Sequence, residues 1–210
     1  MCKIYTGFNS IDKSLNISKG DLVIVGGRPA IGKTSFICNI IKNTLDNQKG
    51  LFFSMQFIKS KAVESIKPTY NNNYEIVKNI VDIDEIILKT AENKIKNDIS
   101  VVFIDNFIDL VAYSGYSAKR IILKLKEMAK RLDVAVFVTE HLVRNSKHYY
   151  TYHDISHSDF ISLADKILTI NKFNVESNTT SIRIEKDLTK YSGVEFRLKF
   201  DNNSFSYTEF

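Results

Sequence analysis

The sequence predicts an α/β fold: a mostly parallel twisted sheet with helices on both faces, closed by a C-terminal β-hairpin. Three observations carry this expectation. Short apolar runs at 22–25, 51–55, 101–104, 134–138 and 166–170 have the length and composition of strands buried on both faces. Amphipathic segments of helical period alternate with them, which is the pattern of strands joined by helical crossovers. Near the end, 181–185 and 195–200 alternate in polarity on either side of Ser192-Gly193, as the two arms of a hairpin do.

Each element follows from its residues. Residues 1–20 are a mixed polar lead-in ending at Gly20-Asp21, a turn that feeds the first central strand. A helix over 33–47 places Phe36, Ile37, Ile40, Ile41 and Leu45 on one stripe. Gly50 ends a turn, and the strand behind it finishes in Ser54-Met55-Gln56. A short helix over 58–67 is stopped by Pro68, and Asn71-Asn72-Asn73 marks a loop. The helix over 83–96 lines up Ile83, Ile86, Ile87, Ala91 and Ile95, while 110–117 reads as a loop. The 118–132 helix sets Ile121, Ile122, Leu125, Met128, Ala129 and Leu132 against a basic face, which reads as a solvated surface. Residues 144–157 are polar and aromatic, hence a loop.

Length and composition bound the rest. The 210 residues suit one domain with a sizeable core, divided into the lead-in 1–20, a core 21–170 and the C-terminal hairpin 171–210. Hydrophobic content of 44% and charged content of 25% exclude wholesale disorder. A net charge of +5 is compatible with a polyanionic partner but does not demand one. No apolar run approaches the ~18 residues of a membrane span, and the N-terminus lacks a secretion pattern. Cys2 and Cys38 lie far apart and read as reduced thiols, so a cytoplasmic location is expected.

The chemistry concentrates after the first strand. Gly27-Arg28-Pro29-Ala30-Ile31-Gly32-Lys33-Thr34, followed by Ser35, matches the P-loop pattern in the context the pattern requires, strand before and helix after. Glycines let backbone N–H groups turn around phosphate oxygens, and the helix N-terminus adds its positive end. Lys33 brings a charge to the β/γ-phosphates and Thr34 a hydroxyl for Mg²⁺. The run Val101-Val102-Phe103-Ile104 delivers Asp105 to the same end of the sheet, where it is expected to hold the metal opposite Thr34. ATP and Mg²⁺ are the ligands these residues imply. Gln56 and His141, at the ends of the second and fourth strands, are candidate catalytic residues beside the γ-phosphate. Glu140 is a candidate substitute base.

The opening Thr6-Gly7-Phe8, Ile11-Asp12, the strand from Gly20 to Val25 and Arg28-Pro29-Ala30-Ile31-Gly32-Lys33-Thr34 together resemble the start of the motor domain of DnaB-type replicative helicases. The resemblance continues through Phe53-Ser54-Met55-Gln56, Ile104-Asp105, His141-Leu142-Val143-Arg144 and Ala164-Asp165. It implies a RecA-like ATPase core that, in the family, forms a hexameric ring around single-stranded DNA with nucleotides between subunits. The partners it implies are single-stranded DNA and further copies of this chain or a related replicative helicase. A recombinase or clock-type RecA relative is the more distant alternative, disfavoured by the Arg28-Pro29 loop and the Thr-Gly-Phe opening.

The departures from the family pattern carry their own expectations. Gln56 stands where the family has the glutamate that activates water. An amide cannot take a proton, so general-base help worth ~10²–10⁴-fold is expected to be lost. Lys186 matches a family lysine that contacts nucleotide across the subunit boundary, but Leu188 replaces the arginine finger, a group worth ~10³–10⁵ in rate. Ser156-His157-Ser158-Asp159 replaces the family's second DNA-facing segment, and the family's amino-terminal domain and linker helix have no counterpart in the 210 residues. Two functions are therefore expected: a DNA-dependent motor with weak ATP hydrolysis, or a degenerate relative that binds nucleotide and loads, tethers or inhibits a true helicase. Arg144, Lys147 and Tyr149 mix cations with an aromatic ring and are the candidate DNA contacts. His153 and His157, spaced i, i+4 with His148 nearby, lack a carboxylate partner in sequence and make a poor zinc site.

Overall fold

The computed structural model describes residues 3–55, 61–66, 73–143, 150–174, 176, 178–188 and 190–210. The chain opens with β1 (Lys3–Ile4), α1 (Asn9–Ser14) and β2 (Ile17–Ser18), where the sequence suggested only an irregular lead-in. The core follows as β3 (Leu22–Gly27), α2 (Lys33–Thr44), β4 (Gly50–Ser54), α3 (Lys61–Ile66), β5 (Tyr74–Lys78), α4 (Ile83–Asn97) and β6 (Val101–Asp105). Next come α5 (Phe107–Tyr113), α6 (Ala118–Leu132), β7 (Ala135–His141), a 3₁₀ turn (Tyr152–Asp154) and α7 (Asp159–Leu163). β8 (Lys166–Asn174), β9 (Thr179–Asp187), β10 (Lys190–Asp201) and β11 (Ser206–Glu209) close the chain.

One sheet runs β11-β10-β9-β8-β3-β7-β6-β4-β5. Its pairs from β8 through β5 are parallel and those from β8 through β11 antiparallel. Because side chains alternate across a strand, the apolar runs feed two cores. Val23, Val25, Phe52, Phe103 and Phe137 pack under α2, whereas Leu22, Ile24, Phe53, Val102 and Val138 pack under α6 with Ile121 and Leu125. Glycines allow the close approaches: a Cβ on Gly50 would lie 2.4 Å from Val101 O across the β4–β6 pair.

Several expectations need correcting. The 110–117 segment is not simply a loop, because Asn106 caps a helix over Phe107–Tyr113, its side chain accepting from Asp109 N–H at 3.0 Å. Gly50 begins a strand rather than ending a turn. The helix expected over 58–67 is described only as α3, and β5 pairs beside β4 where no strand was expected. On α4 the expected stripe holds over its first turns, where Ile83 and Ile86 are buried and Ile87 packs partly against the core, but further along Thr90 and Asn93 are the buried residues and Ile95 is 86% exposed. The basic face of α6 is largely solvated as expected, with Lys119, Arg120, Lys130 and Arg131 exposed, and it carries Lys119–Asp159, Lys124–Asp84, Lys126–Asp165 and Arg131–Glu127 ion pairs. The hairpin turn is not at Ser192-Gly193: the chain reverses around Leu188, and Gly193 (φ +67°) lies at a register shift inside β10. That hairpin also continues the main sheet through β8.

Candidate functional site

The P-loop leaves the end of β3 at the centre of the sheet, where the order switches from β8 on one side to β7 on the other. Ligands of open α/β sheets bind at that position. Gly32 takes φ +109° and starts α2, a conformation in which a side chain is strained. Arg28, Pro29 and Ala30 are exposed at the loop's tip, Ile31 is half-buried and Ser35 is buried. Lys33 is 6% exposed and donates from Nζ to Gly27 O and Arg28 O, each at 2.9 Å. Burial lowers its pKa to about 8 against the opposing pull of Asp105 and Glu140. The loop's own carbonyls thus hold the ammonium over the space its amides border.

Across that space lies Asp105, at the end of β6 and 1% exposed. Its Oδ2 accepts from Thr34 Oγ1 at 2.6 Å and its Oδ1 from Thr139 Oγ1. Met55 N–H donates to Asp105 O at 2.8 Å, which brings the end of β4 alongside. An open cavity of about 360 Å³ is bordered by the loop, Lys33, Thr34, Ser35, Asp105, Asn106 and His141. β7 runs through His141, further than the expected strand end at 138. His141 shares a face with Thr139 and borders the cavity, and burial followed by the Lys33 charge lowers its pKa, which favours the uncharged ring.

Strand alternation sends Glu140 to the other face. It is 0% exposed, its Oε1 meets His157 Nδ1 at 2.9 Å, and it does not border the cavity. The geometry therefore separates Glu140 from the residues facing the phosphate space. His157, considered from sequence as a poor metal ligand and as part of the segment replacing a DNA-facing loop, spends its Nδ1 on this carboxylate and packs edge-on to Phe107, ring centroids 5.0 Å apart. Lys186 is held within its own chain: Nζ donates to Ile161 O at 2.8 Å and Ala164 O at 2.7 Å, over the end of α7. Leu188 is 54% exposed. Gln56, Arg144, Lys147 and Tyr149 lie outside the described residues. The strand that leads toward these last three ends at His141, and Tyr150 beyond them is 2% exposed, its ring 5.3 Å from the Arg28 guanidinium.

On the opposite side of the loop a cleft of about 250 Å³ is bordered by Ala30, Gly32, Asn178, Phe200, Phe205 and Tyr207. A Cβ on Gly32 would lie 2.3 Å from Tyr207 Oη, so the last strand presses directly on the P-loop. Sequence reasoning missed Tyr207, Asn39 and Thr139. Thr139 was recoverable, since strand period places it on the face of His141. Tyr207 carried no signal, because its contact joins the two ends of the chain.

A P-loop at the head of a central parallel strand, faced by an aspartate from the next strand but one, defines a P-loop domain of RecA-like fold. The chain is similar to one branch of that class: the family model of the DnaB-like helicase C-terminal domain matches residues 3–66. The solved ATPase domain of another protein superposes with a TM-score of 0.86, covering 99% of this chain and 91% of that one at 20% identity. A DnaB-like replicative helicase whose structure was solved to examine its interactions with primase gives a TM-score of 0.83. It covers 97% of this chain and 61% of that one at 19% identity, and both likenesses are of fold. A probable replicative DNA helicase of Guillardia theta is 26% identical over 182 residues, 68% of this chain and 30% of the relative. The chain thus spans about a third of the length of that curated relative. No helix among the described residues is long and apolar enough to cross a membrane.

Proposed function

We propose that this chain is a nucleotide-binding motor domain of the DnaB helicase type, acting on single-stranded DNA in replication with weak ATP hydrolysis, in the cytoplasm. The observation that carries the nucleotide reading is Lys33, its ammonium parked on the loop carbonyls at the edge of a cavity that Asp105 and Thr34 face. The donor set suits Mg-ATP: backbone amides at the head of α2, from Gly32 to Ser35, and Lys33 for phosphates, and a hydroxyl and carboxylate already 2.6 Å apart for a hard cation. Thr34 and Asp105 would hold Mg²⁺, which when bound supplies charge neutralisation to the phosphates. The His141 ring would orient toward the terminal phosphate, together with Gln56. The cleft bordered by Phe200, Phe205 and Tyr207 would take the base. The proposed organisation is a single domain with lead-in 1–20, core 21–170 and C-terminal strands 171–210.

Slow turnover follows from Gln56, which has no proton-accepting group, and from Leu188, which has no charge to offer a neighbouring subunit. Arg144, Lys147 and Tyr149 would contact single-stranded DNA. A second reading is favoured by one observation: Lys186 is spent on Ile161 and Ala164 carbonyls and is 7% exposed, which suits a relative that binds nucleotide and regulates, loads or inhibits a true helicase. Calorimetry with Mg-ATP on wild type and Lys33→Ala tests the shared premise, which fails if neither binds or both bind alike. Phosphate release with and without single-stranded DNA then separates the readings. Stimulation by DNA, increased further in Gln56→Glu, supports the motor, and negligible release in both proteins supports the regulator.

A further inference from the structure

Glu140 is a buried carboxylate that does not border the nucleotide cavity, and one of its oxygens has no hydrogen bond among the described residues. Oε1 is bonded to His157, whereas Oε2 is buried with no hydrogen bond among the described residues, the nearby Ser156 hydroxyl donating instead to His141 O at 2.7 Å. The strand register places Glu140 opposite Gly26 and His141 opposite Gly27, the residue whose carbonyl receives the Lys33 ammonium. The carboxylate therefore sits one residue from the lysine's anchor, on the other face of the sheet. Among the described residues, β3 pairs Gly26 with it, the segment before α7 brings Ser156 and His157 to it, and the His157 ring in turn packs on Phe107, which stacks edge-on with Phe160 of α7. The charged groups that act on it are His157 and, from α2, Lys33. Asp105, on the opposite face, is taken up by Thr34 and Thr139.

We propose that nucleotide binding at the P-loop is coupled to uptake of a proton from solvent by the Glu140–His157 pair. The inference rests on the nucleotide reading above and adds to it a means of regulation. An ionised carboxylate that is fully buried with one oxygen unbonded is costly. The fields of His157 and Lys33, with the Ser156 hydroxyl nearby, offset part of that cost. Burial wins, and raises the Glu140 pKa. Phosphates arriving at Lys33 cancel its field and add negative charge on the same side. The proton then becomes more favourable on the pair, where Oε2 can carry it. Linkage fixes the sign: a complex that holds more protons than its free components forms more readily as pH falls.

The test is calorimetry with Mg-ADP in buffers of different ionisation enthalpy, which counts protons taken up per nucleotide bound. Wild type is expected to take up more than Glu140→Gln, by up to about one proton per ADP, and its affinity should rise more steeply as pH falls. His157→Gln, at a residue whose side chain is 27% exposed, provides a second arm. Without the imidazole, one of the groups favouring the ionised form is gone and the balance before nucleotide arrives moves toward the protonated carboxyl, so uptake should fall there too. Equal proton counts in wild type and both variants, with ADP binding intact, overturn the coupling and leave the nucleotide site standing. Absence of any ADP binding overturns both.

Discussion

Asn39 accepts the backbone N–H of Tyr207 through Oδ1 at 2.8 Å, and its Nδ2 donates to Phe205 O at 2.8 Å. A single amide thus fastens β11 to the helix that follows the P-loop. Asn39→Ala leaves the buried Tyr207 N–H without a partner and should cost about 1–3 kcal/mol in denaturant unfolding. Lys42→Ala, which removes only an exposed bond to Ser204 O at 3.2 Å, should change stability by less than about 0.5 kcal/mol.

Gly32 joins a φ of +109° to a wall 2.3 Å from any added Cβ, formed by Tyr207 Oη. Gly32→Ala should destabilise the fold by about 1–3 kcal/mol and weaken Mg-ADP binding. Adding Tyr207→Phe removes the hydroxyl contact but not the backbone strain. Thermal melts of the double variant should therefore recover part of the loss, while calorimetry still finds weak binding.

Burial pushes the hydroxyls of Tyr74 and Tyr207 up to about 12. The unfolded chain loses these protons near the ordinary tyrosine value of about 10, before the folded chain does, so stability is full below that pH and falls as pH rises toward 12. Each residue should contribute about 2–3 kcal/mol to that fall. Absorbance at the phenolate band, followed with circular dichroism, should show these two ionising together with unfolding. Tyr74→Phe, which gives up the 3.0 Å bond with Thr44 Oγ1, should flatten the pH dependence.

Lys186→Met tests where that lysine acts. If its ammonium serves the carbonyls of Ile161 and Ala164, melting should shift by about 1–3 kcal/mol with Mg-ADP affinity unchanged. A variant of wild-type stability that loses turnover only in the assembled protein would assign the lysine to a neighbouring subunit's nucleotide instead.

How far the sequence was legible depended on the distance over which each signal acts. β3, β6 and β7 were readable because four or more consecutive apolar residues admit little but a strand buried on both faces. The α6 face was readable because Ile121, Ile122, Leu125, Met128 and Ala129 keep helical spacing, and all five are buried. α5 was hidden, because Asn106 caps it at once after the strand and leaves no linker to announce a helix. β5 was hidden because Tyr74–Lys78 is a short edge strand whose pattern is broken by Glu75.

The sequence by itself determined the phosphate loop, the aspartate opposite it and the alternating order of strands and helices, since local spacing and backbone chemistry specify all three. Only the tertiary structure decided that Glu140 turns away toward His157, that Lys186 is engaged by its own chain, and that Tyr207 braces Gly32. Those choices depend on which strand faces which and on contacts between residues far apart in the chain, and neither is encoded in any short run of residues.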